Sequence, residues 1–563
     1  MTEKKKYAIG IDFGTTSARA VLIDINSGDL AASSVYQYPH GVITEKLPVG
    51  DLMLEPDWAL QHPNDYINGL KKTVPALLKN SQIDPDLVIG IGIDFTGSTV
   101  IPTTSDGTPL ALIDEYQKDP HAWPKLWKHH AAQDKANQIT ELANERFETF
   151  LDRYGGRINA EWFFPKLWEI YDKSSSIYNA ADRIIEGADW MVWQLTGIET
   201  RNSCSAGFKA LWSKNEGFPL ETFFSAMDEG LTYVVDEKMK REITPIGAQA
   251  GELTEKAAKW MKLRPGIPVA TGTLDGHAAV PAATVTEPGI MVMTMGTSFS
   301  HFIHAKKEYR VPGMCGMVED AIIPGLITYE GGQGCGGDHY AWFIKNGVPG
   351  AYEREAKRRR LSVFDLMEEK ASKLQPAESG LVALDWWNGN RSILADGDLT
   401  GLVMGYTLAT KPEDIYRALL EATAYGTRKI IETFIASGVP INEIILTGGE
   451  PKRNKLLLNI LANVTRMEIK ISDFPYPSAL GSAIYAAVAA GESRGGYGTV
   501  AEAAKRMAHL SSKSVLPNNN DKKTYNRLYS EYTLLHDYFG YGHNDAMKRL
   551  KFLRNKILEK KNR

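Results

Sequence analysis

The order of hydrophobic and polar positions along the chain predicts alternating strands and helices. Tyr7–Phe13 is mainly apolar, Gly14–Ser17 is small and polar, and Ala18–Ile25 returns to apolar alternation, so two strands joined by a turn are predicted. Asp65–Asn80 has the spacing of an amphipathic helix, and Val88–Phe95 predicts a further strand. This alternation favours the α/β class.

The same pattern begins again about halfway along the chain. Met291–Met295 is apolar, Gly296-Thr297-Ser298 forms a turn, and Phe299–Ile303 is apolar again. The second half continues with a predicted strand at Glu443–Leu446. Three helices are also predicted there, at Pro412–Ser437, at Lys455–Ala462 and at the small-residue segment Ser478–Ala490. An internal repeat of this kind predicts two related lobes.

The length of 563 residues is too great for a single core. The repeat predicts an N-terminal domain over 1–284, a C-terminal domain over 285–495 and a helical extension over 496–563. Residues 121–265 are rich in helix signals and tryptophan, which predicts a helical insertion, with or without a role in substrate binding. The basic helix at the end, Met547–Arg563, is expected to pack on a lobe rather than on a membrane or a partner.

Charge and cysteine content narrow the class of protein. A net charge of -4 gives no long-range attraction to nucleic acid or to an anionic membrane. Three cysteines without a CxxC motif fit a reducing compartment. With no signal-type segment and no apolar run near 18 residues, the sequence predicts a cytoplasmic protein.

The turn after the first strand is a candidate phosphate loop. Gly14 lets backbone N–H groups approach a phosphate, and the hydroxyls of Thr15 and Thr16 add donors. Asp12, at the end of the strand, is placed to hold Mg²⁺ directly or through water. Taken alone, the motif also fits an ordinary hairpin turn.

Two further turns strengthen the phosphate hypothesis. Gly296 and Thr297 repeat the first turn, and two such loops suit the charge neutralisation that phosphoryl transfer requires. Gly448 and Gly449 follow a strand and precede a helix start at Asn454, where a nucleotide could lie against bare backbone. A plain strand–helix turn is the alternative for this third site.

Phosphoryl transfer to a hydroxyl group also needs a base, and a carboxylate is the candidate. Asp275 follows an apolar strand just before the lobe boundary, which suits a base that takes a hydroxyl proton and approaches the metal. A cap of the following helix is the alternative. Asp94, at the end of another strand, fits a site residue or a structural turn residue equally well.

Other motifs are absent or ambiguous. No Gly-Lys dipeptide occurs, so there is no Walker A loop, and neither GxSxG nor HExxH is present. The segment 332–337, GQGCGG, matches the dinucleotide pattern, but a glycine loop beside a substrate is favoured, with Glu330 as a hydroxyl ligand. His129 and His130 are interpreted as a pair on a helix surface.

With these motifs in place, the chain resembles the FGGY family of carbohydrate kinases, within the actin- and Hsp70-like ATPases. The resemblance runs from GIDFGTTSARAVLID to SALGSAIYAAVAAG. The strings WALQHPNDY, LWKHHAAQ, LDRYGGRI and YEGGQGCGGDHYAWFIKNGVP resemble bacterial members that act on L-ribulose. The resemblance implies two actin/Hsp70-like (ribonuclease H-like) α/β domains with a deep inter-domain cleft, and a homodimer.

The resemblance also implies the reaction and its residues. It implies ATP, Mg²⁺ and transfer of the γ-phosphate to the 5-hydroxyl of L-ribulose, with D-ribulose as a further substrate, in L-arabinose catabolism. By matching position, the implied groups are the base Asp275, the sugar contacts Gly97, Lys209 and Glu330, the metal ligands Asp12 and Asp275, and the nucleotide contacts Gly14, Thr15, Thr16, Gly296, Thr297, Gly448, Gly449 and Asn454. Without the resemblance, Lys209 would be interpreted as a surface lysine.

Some positions depart from the family pattern. Thr16 replaces an acidic or apolar residue, Gly97-Ser98 stands where Ala-Cys is common, and Glu450 follows Gly449 where a neutral residue is usual. The change at Gly97 and Ser98 is expected to enlarge or reshape the sugar side. Kinases of xylulose, ribitol or glycerol therefore remain alternatives. A nucleotide switch of the actin or Hsp70 type is disfavoured because no peptide-binding domain follows the lobes.

Overall fold

The computed structural model describes residues 5–449 and 454–562. The chain forms two compact units. The first contains the residues up to Glu287 together with Gly316–Thr328 and Tyr476–His509, and the second contains the remainder. The predicted domain boundaries stay a prediction. The compact units group the chain differently from them, since residues 476–509 lie with the N-terminal residues.

Seventeen strands lie in the described residues. In chain order they are β1 Tyr7–Phe13, β2 Ser17–Asp24, β3 Leu30–Gln37, β4 Val88–Phe95, β5 Val100–Thr103, β6 Arg183–Glu186, β7 Gln249–Glu252, β8 Pro268–Ala270, β9 Thr273–Leu274, β10 Gly289–Met295, β11 Phe299–Ala305, β12 Gly316–Glu319, β13 Ile327–Gln333, β14 Val382–Leu384, β15 Leu402–Met404, β16 Ile441–Gly448 and β17 Ile469–Ile471.

Nineteen α-helices lie in the same residues. They are α1 Pro63–Ser81, α2 Gln133–Glu145, α3 Phe163–Lys173, α4 Ser175–Ala180, α5 Gly187–Thr196, α6 Ser203–Lys209, α7 Glu221–Met227, α8 Val234–Lys238, α9 Glu255–Met261, α10 Asp275–Ala282, α11 Gly337–Gly347, α12 Gly350–Arg359, α13 Val363–Ser372, α14 Pro412–Ala436, α15 Lys455–Thr465, α16 Pro477–Ala490, α17 Val500–Met507, α18 Lys522–Gly540 and α19 Ala546–Asn562. In the part of the chain described, none is long and apolar enough to cross a membrane.

The first unit is built on a mixed sheet with strand order β3-β2-β1-β4-β8-β7, and β9 pairs with β4. β1 pairs antiparallel with β2 and parallel with β4. Both predicted strands of the opening hairpin and the predicted strand β4 are therefore confirmed. Because β1, β4 and β9 run parallel, their carboxyl ends meet at one edge of the sheet.

The sheet of the second unit repeats this pairing. β10 pairs antiparallel with β11 and parallel with β16. The turn between β10 and β11 holds Gly296 and Thr297, just as the turn between β1 and β2 holds Gly14 and Thr15. The internal repeat predicted from the hydrophobic pattern is confirmed in the order and direction of the strands.

Helix α16 lies almost against the backbone of the first sheet. A Cβ added to Gly10 of β1 would lie 1.8 Å from the Ala479 carbonyl oxygen, and one added to Gly92 of β4 would lie 2.0 Å from that of Ser482. The predicted small-residue helix is confirmed. Its small side chains are what allow the helix to approach the strands so closely.

The first unit has two hydrophobic cores. One lies around the sheet and includes Phe13, Tyr66 and Trp190. The other is built from helices and loops and includes Trp123 and Trp162. The region 121–265, predicted as a helical insertion, contributes to both cores, because α5 and α9 pack on the sheet.

The C-terminal helices are held in different ways. In the second unit, Tyr532 of α18 donates its hydroxyl to the buried Asp385 carboxylate at 3.0 Å. α19 contacts the unit through the buried Met547 and through Lys551, which donates to the Gly397 carbonyl at 2.7 Å. Five large apolar residues of α19 are exposed to solvent: Leu550, Phe552, Leu553, Ile557 and Leu558.

Candidate functional site

Three carboxylates lie at the carboxyl edge of the first sheet. Asp12 of β1 and Asp94 of β4 are register partners. Asp94 is also the partner of Thr273 on β9, which ends immediately before Asp275. Asp94 is fully buried, and its Oδ2 accepts a hydrogen bond from the Ser482 hydroxyl at 2.6 Å. The structure therefore adds Asp94 to the two aspartates predicted from the sequence.

The charges of this cluster interact. Burial, the neighbouring charge of Asp12 and, more weakly, that of Asp275 hold the pKa of Asp94 well above its usual range, against the hydrogen bond from Ser482. Arg19 Nη1 lies 2.9 Å from Asp12 Oδ2 and partly offsets the negative charge. The sequence analysis missed Arg19. The signal was the hairpin itself, which places Arg19 opposite Asp12 across β1 and β2.

Asp275 is the first residue of α10 and is partly exposed. Its Oδ1 accepts a hydrogen bond from the Gly276 N–H at 2.7 Å. A carboxylate in the first turn of a helix is stabilised by the helix dipole. The N-cap position of α10 is held by Leu274, with no capping bond from a side chain, and the role of Asp275 as base stays a prediction.

The first Gly-Thr turn is held by hydrogen bonds, two of which come from side chains outside the turn. Gly14 N–H donates to the Ser17 carbonyl at 3.0 Å. Thr15 is held twice, since Gln61 Nε2 donates to its carbonyl at 2.7 Å and Trp127 Nε1 donates to its hydroxyl at 3.1 Å. Thr16 is exposed. Gln61 and Trp127 lie in strings that carried the family resemblance, yet the sequence analysis gave them no role.

The loop Thr96–Thr99, called the sugar-side loop below, continues β4 beyond Asp94. A Cβ added to Gly97 would lie 2.5 Å from Leu274 Cδ2, and Leu274 directly precedes Asp275. The Leu274 side chain fills the space beside Gly97, and the expectation that Gly97 and Ser98 enlarge or reshape the sugar side stays a prediction.

The contact between Gly97 and Leu274 predicts the effect of alanine, the residue that is common at this position in the family. We expect Gly97→Ala to overpack Leu274, at a cost of about 1–3 kcal/mol, and to shift Asp275, so kcat falls about tenfold. Leu274→Val in the same chain removes the overlapping Cδ2 methyl group and should restore kcat. Steady-state kinetics of the single and double variants test this. Unchanged kcat in Gly97→Ala would contradict it.

Lys209 lies at the end of α6 and is buried, so the interpretation as an ordinary surface lysine is wrong. Its charge acts on Glu186, which is buried at the end of β6. Burial raises the pKa of Glu186, and the ammonium groups of Lys166 and Lys209 partly oppose that rise. The predicted sugar residue Lys209 therefore shares an environment with groups that the sequence analysis did not identify.

In the second unit, the Gly296–Thr297 turn is supported by the glycine-rich segment. Gly336 N–H donates to the Thr297 carbonyl at 2.8 Å, and Gly337 N–H donates to the Gly296 carbonyl at 2.9 Å. These amide groups at the start of α11 are thus engaged within the protein, which argues against a dinucleotide site at this segment. Glu330 is buried on β13, just before the segment.

The third predicted turn is shaped by close backbone packing. Gly448 has a φ of 103°, and a Cβ there would lie 2.5 Å from the Met295 carbonyl oxygen, so only glycine fits. Among the described residues, no atom lies within 4 Å of a Cβ added to Gly449. Asn454 caps α15, accepting from Leu457 N–H at 2.9 Å. The departure at Glu450 lies outside the described residues.

The interpretation of His129 as a surface residue is wrong. Its ring is fully buried, its Nδ1 accepts from Ala59 N–H at 3.3 Å, and its Nε2 donates to Glu169 Oε2 at 2.9 Å. Burial, with the nearby Lys125 ammonium, lowers the pKa of His129 to about 3, which keeps the ring neutral. His130 alone is exposed, 3.2 Å from the Glu161 carboxylate.

The predicted residues are therefore found in local groups. In the first unit, the structure brings together Asp12 and Asp275, with Asp94 between their strands. In the second, it brings together Gly296 and Thr297 with the glycine-rich segment. Each predicted residue keeps its assigned role as a prediction.

The chain is similar in sequence and fold to known carbohydrate kinases. Residues 7–281 match the N-terminal domain, and residues 291–490 the C-terminal domain, of the FGGY family of carbohydrate kinases. The chain is 52% identical to the ribulokinase of Halalkalibacterium halodurans, covering 98% of both chains, and 51% identical to that of Anoxybacillus flavithermus, covering 97% of both. A xylulose kinase structure from Rhodospirillum rubrum superposes with a TM-score of 0.75 at 20% identity, covering 95% of this chain and 99% of the other. The chain belongs to the FGGY family of carbohydrate kinases.

Proposed function

We propose that this ATP-dependent carbohydrate kinase phosphorylates the 5-hydroxyl of L-ribulose, the first phosphorylation of a route that breaks down L-arabinose. The observation that carries the proposal is identity above 50% over nearly the whole length with two ribulokinases. The likeness to the xylulose kinase structure concerns the fold alone and does not select a sugar. A cytoplasmic homodimer, which the family resemblance implies, is part of the proposal.

In the proposed reaction, Asp275 accepts the proton of the 5-hydroxyl as the sugar oxygen forms its bond to the γ-phosphorus of ATP. The bond between that phosphorus and the bridging oxygen breaks, and ADP leaves. The partial exposure of Asp275 at the sheet edge gives a substrate access to its carboxylate. Gly97, Lys209 and Glu330 are proposed to contact the sugar.

A magnesium ion fits the donor set of the first unit. Asp12 and Asp275 offer oxygen ligands, which this hard cation prefers, and burial together with the negative charges of Asp12 and Asp275 raises the pKa of Asp94. We propose Asp12 and Asp275 as its ligands, directly or through water. When bound, Mg²⁺ neutralises phosphate charge. Arg19 competes for Asp12, so it also limits how much charge the cluster carries.

The nucleotide is proposed to contact both Gly-Thr turns. Thr15 and Thr16 of the first unit offer backbone N–H groups and hydroxyls, of which the Thr15 hydroxyl is oriented by Trp127. Gly14, whose own N–H is bound to the Ser17 carbonyl, is proposed as a further contact. In the second unit, Gly296 and Thr297 are proposed for the phosphates, and Gly448, Gly449 and Asn454 for the nucleoside. The open space beside Gly449 suits close approach of a ligand to the backbone.

A substrate panel tests the proposed sugar. Initial rates of ADP formation should be measured with L-ribulose, D-ribulose, D-xylulose, ribitol and glycerol at equal concentrations. We expect the highest kcat/KM with L-ribulose, since the chain matches ribulokinases across its whole length. A kcat/KM at least tenfold higher for D-xylulose or for a polyol would contradict the proposal and leave the family assignment intact.

A further inference from the structure

A buried lysine lies behind the sugar-side loop. Lys166, on α3, has no exposed surface. Its Nζ donates to the Ser98 carbonyl at 2.7 Å and to the Leu126 carbonyl at 2.9 Å. A cation persists in a protein interior only where hydrogen bonds and opposite charge compensate it, so these contacts hold Lys166 and the two carbonyls in fixed positions.

The hydroxyl of the same serine is held by a buried acid. Ser98 Oγ donates to the Glu186 carboxylate, and Glu186 lies opposite Val100 in the β5–β6 ladder. Burial lowers the pKa of Lys166 and raises that of Glu186, while each charge favours the ionised form of the other. The carbonyl and the hydroxyl of Ser98 are thus bound to ionisable side chains of opposite sign.

The loop that this pair holds lies between two predicted substrate groups. Gly97 packs against Leu274, next to the proposed base Asp275. On the other side, the charge of Lys209 acts on Glu186. A displacement of Ser98 would therefore change the surface against which a sugar is bound, while Asp12 and the first Gly-Thr turn keep their own contacts.

We propose that Lys166 and Glu186 are positioning residues that fix the sugar-side loop through Ser98 and thereby set affinity and selectivity for the ketose. The inference rests on the proposed function only in taking this loop as the sugar side. The Leu126 segment has independent support, since Leu126 N–H donates to the Ala59 carbonyl and Lys125 N–H to that of Val100, both at 2.9 Å. Loss of Lys166 therefore releases mainly Ser98.

A second buried lysine provides a matched control. Lys125 is equally inaccessible to solvent and also pairs with α3, where its Nζ lies 3.0 Å from Glu169 Oε2. Its ammonium lies 4.1 Å from the centre of the Trp58 ring. Lys125→Met removes a buried charge of the same kind, without removing a side-chain contact to Ser98.

The test compares Lys166→Met with Lys125→Met, each assayed with the best sugar of the wild-type enzyme. Lys166→Met should raise KM for the sugar at least tenfold, keep KM for ATP within twofold and narrow the ratio of kcat/KM between the best two sugars. Lys125→Met should keep both KM values within twofold even where its melting temperature falls. Equal sugar KM values in the two variants would overturn the proposal.

A double variant separates positioning from stability. Lys166→Met leaves Glu186 buried without its partner, and adding Glu186→Gln should raise the melting temperature again without restoring KM for the sugar. A double variant in which both the melting temperature and the sugar KM return to wild-type values would overturn the proposal. If Lys166→Met does not fold, the variants Lys166→Arg and Ser98→Ala replace it in the test. A raised sugar KM in either variant supports the proposal, and wild-type sugar KM values in both variants overturn it. A wild type inactive on L-ribulose contradicts only the proposed function, since the variants are compared on its best sugar.

Discussion

The Asp275→Asn variant should lose phosphoryl transfer almost completely while still binding both substrates. Asparagine preserves the shape and can still accept the hydrogen bond from Gly276 N–H, but it cannot take up the sugar proton. General-base catalysis contributes about 10²–10⁴-fold, so we expect kcat to fall on the order of 10³-fold. Initial rates of ADP formation measure kcat, and calorimetric titration measures binding of sugar and of ATP.

A control distinguishes a base from a helix cap. Asp365→Asn removes the same charge from the first turn of α13, where Asp365 pairs with Ser362 in a capping box. It should destabilise that helix end by about 1 kcal/mol and leave kcat unchanged. If Asp275→Asn behaves in the same way, with a small loss of stability and a kcat near that of the wild type, Asp275 is a cap and the proposed base is wrong.

The largest expected loss of stability comes from Gly481→Ala, in the middle of α16. Helix propensity alone favours alanine over glycine by about 1 kcal/mol. However, a Cβ on residue 481 would lie 1.7 Å from the Ala278 carbonyl oxygen of α10, and backbone cannot rotate aside as a side chain can. Overpacking costs about 1–3 kcal/mol, and more where backbone must move, so the steric effect outweighs the propensity.

Calorimetry should therefore show a lower melting temperature for Gly481→Ala, by roughly 4–10 °C for a net loss of about 2–3 kcal/mol. Because α10 begins at Asp275, kcat should fall as well. Gly350→Ala is the control, since its Cβ would meet nothing nearer than 3.5 Å at the start of α12. A Gly481→Ala variant as stable as the wild type would show that α10 and α16 separate at little cost.

Some structural features of the protein could be predicted from its sequence, and others could not. The hydrophobic period of a strand or helix is a local property, so Tyr7–Phe13, Pro412–Ala436 and the repeat of the Gly-Thr turn were predictable. Burial of a charged side chain depends on residues distant in sequence. His129 was therefore interpreted as a surface residue, and Lys209 would have been without the family resemblance, although both side chains are buried.

By itself, the sequence determined the α/β class, the two repeated strand–turn–strand segments, the small-residue character of α16 and the family strings. Only the tertiary structure decided that Asp94 joins Asp12 and Asp275, because the parallel order of β1, β4 and β9 brings these strand ends to one edge. It also decided that Leu274 fills the space beside Gly97 and that Lys166 and Glu186 hold Ser98. The physical reason is that side-chain period follows from neighbours in the chain, whereas contact and burial follow from the order in which strands and helices pack.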